Sequence, residues 1–133
     1  MTGTVAGPAF AELGAMSNFS FLEGASHPGE LVVAARALGH AGIGLADRNT
    51  LAGVVRAMVA AEDGRIALPF VVGARLALED GQEYLVWPTD RAAYGRLSRL
   101  LSAGRMRGAA GTCSIGRADM IDAAAGWVMA IVP

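Results

Sequence analysis

Ile43-Gly44-Leu45-Ala46-Asp47-Arg48-Asn49-Thr50-Leu51-Ala52-Gly53-Val54-Val55-Arg56-Ala57 is the stretch that decides the fold. Residues 43–46 form a short apolar run, too brief for a helix, and read as a buried strand ending at Asp47-Arg48-Asn49. Leu51, Val54, Val55, Met58 and Val59 then recur at helical spacing, which predicts a second helix with those residues inward. Asn49 or Thr50 is the expected cap, and Asp63-Gly64 the stop. A strand running straight into a helix is half of a βαβ unit.

The same alternation extends in both directions. Upstream, residues 9–13 read as a short strand and residues 17–27 as a long loop carrying Phe19, Phe21 and Leu22. Pro28 suits a first helical turn, because its missing N–H would be orphaned there anyway. Leu31, Ala35 and Leu38 share one face of that helix, and Gly39 and Gly42 bracket its end. Downstream, residues 69–78 are the strongest strand signal, and Asp80-Gly81 marks a hairpin to a partner strand at residues 83–87. Thr89 or Asp90 caps a third helix, with Tyr94, Leu97 and Leu101 inward and Arg96 and Arg99 outward. Residues 104–111 read as a flexible loop, 116–124 as a short helix and 127–132 as a buried strand. The order β-α-β-α-β-β-α-(α)-β predicts an α/β fold with a largely parallel sheet. Chemistry in such folds gathers at the carboxyl ends of strands, here near residues 14–17, 47–49 and 73–75. A buried strand at the end implies further cover, so residues 9–133 are expected to be part of a larger barrel, preceded by a tail over residues 1–8.

Composition narrows the function. The chain has 133 residues, enough for one domain, and its 53% hydrophobic content excludes a disordered chain. All eleven basic residues are arginine, which with the many Ala and Gly points to coding bias rather than a demand for guanidinium groups. A net charge of −1 leaves no domain-wide footprint for nucleic acid. The single cysteine, Cys113, permits no intrachain disulfide and reads as an inert thiol in a reducing cytosol. His27 is expected to cap a helix or pack in its loop, and His40 to meet a helix C-terminus or solvent. Residues 1–8 carry no targeting signal, and the longest apolar stretch contains Pro69 and Gly73, so a cytoplasmic protein without membrane partners is expected.

Four segments also match a known family. Residues 12–28, from Glu12-Leu13-Gly14-Ala15-Met16-Ser17-Asn18-Phe19-Ser20-Phe21-Leu22 to Ser26-His27-Pro28, resemble the first motif of the polymerase-and-histidinol-phosphatase (PHP) domain in bacterial DNA polymerase III alpha subunits. The likeness is to the error-prone, second-copy branch of these C-family polymerases. Residues 43–57 resemble the second motif, Val71-Val72-Gly73-Ala74-Arg75-Leu76 the third, and residues 88–97 continue the match. The resemblance implies the opening β/α units of a distorted seven-stranded β/α barrel. It also implies a parent that copies damaged templates with Mg in a palm domain, of which nothing is present in these residues.

Active PHP sites hold metal ions through histidines and acids. The resemblance places Gly14 and Met16 where the first motif carries His-x-His, Arg48 where the second carries the histidine of Asp-His, and Arg75 where the third carries a glutamate. Glycine has no ligand atom, a thioether is too soft for a hydrolytic metal, and arginine does not deprotonate. Glu23 and Asp47 remain as acidic candidates, and they are expected to pair with Arg48 or Arg75 and fill the vacated pocket. No catalytic residue, bound metal or cofactor is therefore expected in this chain. Arg96, Arg99, Arg105 and Arg107, with Arg91, are weak candidates for contact with a DNA backbone or with the rest of a polymerase.

Three functions compete at this point. The first is a structural and interaction module of an error-prone polymerase involved in DNA repair. Its partners would be the remainder of that chain, DNA through the parent, and replication or mutagenesis accessory proteins. The second is an active PHP-type metal-dependent phosphoesterase or exonuclease, which needs ligands at the four replaced positions. The third is a free-standing, non-catalytic truncated remnant.

Overall fold

The structure is a computed structural model and describes residues 9–20, 24–63, 67–109 and 111–133. Nine elements follow in the order β1 (Ala11–Ala15), α1 (Pro28–Ala37), β2 (Gly42–Arg48), α2 (Val54–Glu62), β3 (Phe70–Ala77), β4 (Glu83–Pro88), α3 (Arg91–Arg107), α4 (Arg117–Ala123) and β5 (Trp127–Val132). The expected tail at residues 1–8 lies outside the described residues, as do Phe21, Leu22 and Glu23. Among the described residues, no helix is long and apolar enough to cross a membrane.

The five strands make one sheet in chain order. β1, β2 and β3 run parallel, whereas β3–β4 and β4–β5 are antiparallel. The expectation of a largely parallel sheet therefore holds for one half only. The cause is local: the hairpin at Asp80-Gly81, with Gly81 at φ 88°, sends β4 straight back without a crossover helix. β5 is likewise not a buried central strand. It is an open edge, and Val128 and Ile131 are 56% and 62% exposed.

One face of the sheet is covered by helices. Ile43 and Leu45 of β2 pack on Val32 and Ala35 of α1 and on Ala57 and Ala61 of α2. Leu76, Leu78 and Val86 pack on Leu97, Leu100 and Leu101 of α3, with Ile115 and Met120. The expected apolar stripe of α2 holds at Val54, which is 3% exposed, but not along the rest of the helix. Val55 and Val59 face outward at 68% and 60% exposure, and alanines meet the sheet. The start of the helix is held close to its neighbours: a Cβ on Gly53 would stand 3.0 Å from both Leu45 and Pro28. Gly53 is also the N-cap, in place of the expected Asn49 or Thr50. In α1 the inward residues are Val32 and Ala35, and Leu38 is 73% exposed.

α3 runs on to Arg107 through the stretch expected to be a loop. Gly104 is buried inside it, because a Cβ there would lie 2.8 Å from Cys113 Sγ and 3.0 Å from the Ser114 carbonyl. Asp90 caps the helix by accepting from the Ala93 N–H at 2.7 Å.

The opposite face is concave. Trp87 Nε1 of β4 donates to the Leu13 carbonyl of β1 at 3.0 Å, across two intervening strands. Only a strongly curled sheet brings those strands together. Small residues make the room: a Cβ on Gly73 would meet Trp87 at 2.8 Å, and one on Gly14 would meet Leu85 at 3.3 Å. The sheet is a curled half-barrel.

Candidate functional site

The parallel register sets Arg48 of β2 beside Arg75 of β3 at the carboxyl ends of their strands. Arg75 pairs in register with Leu85, so β-alternation puts Arg48, Arg75 and Glu83 on the concave face. There the two arginines grip one carboxylate. Arg48 Nη1 lies 2.6 Å from Glu83 Oε2, and Arg75 Nε lies 2.6 Å from Glu83 Oε1. Partial burial pushes the Glu83 carboxyl up, but the Arg75 and Arg48 hydrogen bonds and charges outweigh that and hold it below the ordinary range. Gly14 contributes no ligand atom to this face, and Met16 follows β1 half-buried.

Asp47 stands elsewhere. Neighbouring strand residues project to opposite faces, so Asp47 points away from Arg48, into the layer under the helices, and is 1% exposed. Its Oδ1 accepts from the Ser17 N–H at 2.6 Å and from Ser20 Oγ at 2.7 Å, and its Oδ2 accepts from Ser17 Oγ at 2.7 Å. Ser20 Oγ in turn accepts from the Arg48 N–H at 2.8 Å. The expected ion pairing of Asp47 with Arg48 or Arg75 is thus corrected: hydroxyls satisfy the aspartate, and Glu83 satisfies the arginines. The pairing expected for Glu23 lies outside the described residues.

Sequence pattern alone does not flag Glu83, Ser17 or Ser20. Glu83 lies eight residues beyond Arg75 and reaches it only because the hairpin folds β4 back. Its alternation with Leu85 and Trp87 was the available signal. Among the described residues, no three His, Cys, Asp or Glu side chains converge as a metal would need.

Beside the arginines lies a cavity of about 620 Å³, whose lining includes Phe19, Arg48, Asn49, Thr50, Arg105 and Cys113. Asn49 holds its shape from a left-handed backbone (φ 52°), accepting at Oδ1 from the Ala77 N–H at 2.9 Å. Burial pushes the Cys113 thiol up, the nearby Arg105 and Arg107 only partly opposing it, so it is a neutral thiol at pH 7.

The remaining arginines are dispersed. Arg96 is partly buried and donates to the Ala123 and Ala125 carbonyls around the end of α4. Arg107 pairs with Asp119 at 2.6 Å, and Arg105 donates to the Asn49 carbonyl at 2.6 Å. Arg91 and Arg99 are exposed. His27 occupies the N-cap of α1, where its N–H donates to Glu30 at 2.8 Å while its ring meets Asn18. The His40 ring packs edge-on against Phe10 with centroids 5.0 Å apart.

Comparison with known proteins agrees with this geometry. The PHP domain model matches residues 12–128. The chain is 55% identical over 116 residues to an error-prone DNA polymerase of Rhodopseudomonas palustris strain BisA53, covering 85% of this chain and 10% of that protein. It is 49% identical over 127 residues to the error-prone DNA polymerase of Caulobacter vibrioides, covering 95% of this chain and 12% of that protein. The chain thus spans about a tenth of the length of the curated relatives it matches. Among solved structures it resembles a candidate metal-dependent phosphoesterase of Bifidobacterium adolescentis (TM-score 0.59, 29% identity, 74% of this chain and 34% of that one). It also resembles an amidohydrolase of Chromobacterium violaceum with bound sulfate and no metal (TM-score 0.61, 27% identity, 74% and 34%). A match over 117 of 133 residues, on a curled β/α half-barrel, means that this chain belongs to the PHP family.

Proposed function

We propose that this chain is the PHP module of an error-prone DNA-directed DNA polymerase, and that it acts as scaffold and interaction surface rather than as a metal phosphoesterase. The identities of 44–55% to error-prone polymerases support the first half. The second half rests on one observation: Arg48 and Arg75 occupy the concave strand tips and share both oxygens of Glu83. A divalent ion placed roughly 5 Å from two guanidiniums meets a repulsion of several kcal/mol at intermediate dielectric. The clamp also ties β2, β3 and β4 together where a metal cluster would otherwise do so. Both oxygens of Asp47 are already engaged by serine donors, away from the arginine face. The donor set does not fit a hydrolytic metal centre, and we derive no hydrolytic step. In this reading the palm and its Mg, the DNA contact and any accessory partners belong to the parent polymerase.

Metal analysis tests the site. The purified chain is expected to carry no stoichiometric Zn, Mn or Fe after dialysis. A variant carrying Gly14→His, Met16→His, Arg48→His and Arg75→Glu is expected to gain metal that the parent sequence lacks. Stoichiometric transition metal in the unaltered chain, lost on Asp47→Ala, would favour the phosphoesterase reading instead. Sequencing past codon 133 tests the module: an open frame entering a polymerase body supports it, and a stop codon there removes it in favour of a non-catalytic remnant.

A further inference from the structure

The two edges of the sheet, β1 and β5, are built differently. β1 is guarded. Glu12 turns its carboxylate back to accept from the Gly14 N–H at 3.0 Å, and Trp87 occupies the Leu13 carbonyl. β5, Trp127-Val128-Met129-Ala130-Ile131-Val132, has no such guard. It carries no charge, its register with β4 runs unbroken, and among the described residues no strand pairs on its far side. The Thr89 N–H donates to the Gly126 carbonyl at 2.9 Å, which fixes the phase of the β4–β5 ladder. Alternation from there turns the N–H and C=O of Val128, Ala130 and Val132 toward β4, and those of Met129 and Ile131 to the open side. The Trp127 carbonyl faces the open side too, while the Trp127 N–H is taken by the Ala124 carbonyl. Val128 on the concave face and Ile131 on the helix face are both exposed, so this edge is uncovered on either face.

We propose that β5 is a self-association edge, which pairs antiparallel with β5 of a second copy of this chain. The open backbone groups admit a symmetric register. Met129 then lies on the two-fold axis and exchanges both backbone bonds with its mate, and each Ile131 N–H meets a Trp127 carbonyl across the axis. Such a contact uses the same surface on both copies and closes on itself. An uncharged strand meets its own copy without repulsion, and the guarded β1 offers no place for a head-to-tail row of copies. One six-residue strand per copy stands at the small end of specific interfaces, so the dimer is weak and concentration dependent. The inference goes beyond the proposed function and does not rest on it.

Sedimentation equilibrium of the chain is expected to move from monomer to dimer, and no further, as concentration rises. Met129→Arg and Met129→Glu each set like charges face to face on the axis, and each is expected to weaken the dimer about tenfold. An equal mixture of the two variants is expected to restore it, because opposite charges then meet; this also shows that both variants fold. Val33→Arg, at an exposed apolar position on α1, is expected to leave the dimer unchanged. Cross-linking reads the register. With Cys113→Ser as background, Met129→Cys is expected to form a disulfide-linked dimer on oxidation, because residues paired on the axis lie about 5.5 Å apart at Cα. Val128→Cys, which lies off the axis, is expected not to. A monomer at every concentration overturns the proposal, whether this edge then serves a strand of another protein or a following segment of a longer parent chain. So do growth beyond the dimer, a mixture that fails to restore association, a loss in Val33→Arg equal to that in Met129→Arg, or cross-linking at Val128→Cys in preference to Met129→Cys.

Discussion

At the tip of β2 the two faces of the sheet hold a carboxylate in opposite ways. Under the helices, Asp47 is buried and takes three hydrogen bonds from Ser17 and Ser20, all neutral donors. On the concave face Glu83, still 20% exposed, takes two from cationic guanidiniums. The buried acid is part of the framework that joins the loop after β1 to β2. The half-exposed acid is a counter-ion to the arginines at the tips of β2 and β3. Depth explains the difference. A fully buried group must have every partner supplied by the fold, whereas a partly wet ion pair shares its solvation with water.

Removing each acid separates the two roles. Asp47→Ala leaves two hydroxyls and one N–H unsatisfied in a dry site, and a loss of about 4 kcal/mol in urea unfolding is expected. A loss under 1 kcal/mol would mean that the serines find other partners and that the framework role is wrong. Glu83→Gln leaves two guanidiniums facing each other across a partly wet cleft, and a smaller loss of about 1 kcal/mol is expected near neutral pH.

Acidification sharpens the contrast. Glu83 titrates below its ordinary value of 4.5 when folded. Its contribution is therefore present above that value and is lost as pH falls through the lower folded value. The stability gap between the unaltered chain and Glu83→Gln is expected to close as pH falls below 4.5 and through the lower folded value. A gap that widens on acidification would contradict the clamp. The smallest effect is expected at the Arg107–Asp119 pair on the solvent side of α3, where Arg107→Gln should leave the melting temperature unchanged. A shift there comparable to Glu83→Gln would show that surface pairs matter as much as the clamp does.

The comparison also marks how far the sequence could be read. Arg48 and Arg75 are legible as cations at strand ends because both strands announce themselves by short apolar runs. Their partner is not legible, because it depends on the hairpin register that carries Glu83 back to Arg75. Asp47 was assigned the wrong neighbours for the same kind of reason: adjacent residues on a strand face opposite sides. The helices repeat the lesson. Val55 and Val59 look like part of a core stripe, yet α2 buries Val54, Ala57 and Ala61 and leaves those two in solvent.

By itself the sequence determined the order of the elements, the Asp80-Gly81 hairpin, a cap at Thr89 or Asp90 and the family that those motifs resemble, since turns, caps and periodicities act within a few residues. Only the tertiary structure decided which helix faces are buried, that β5 is an open edge, and that Glu83 rather than Asp47 answers the two arginines. Those outcomes depend on strand register and on how closely distant backbones approach, and neither is encoded in any local stretch of the chain.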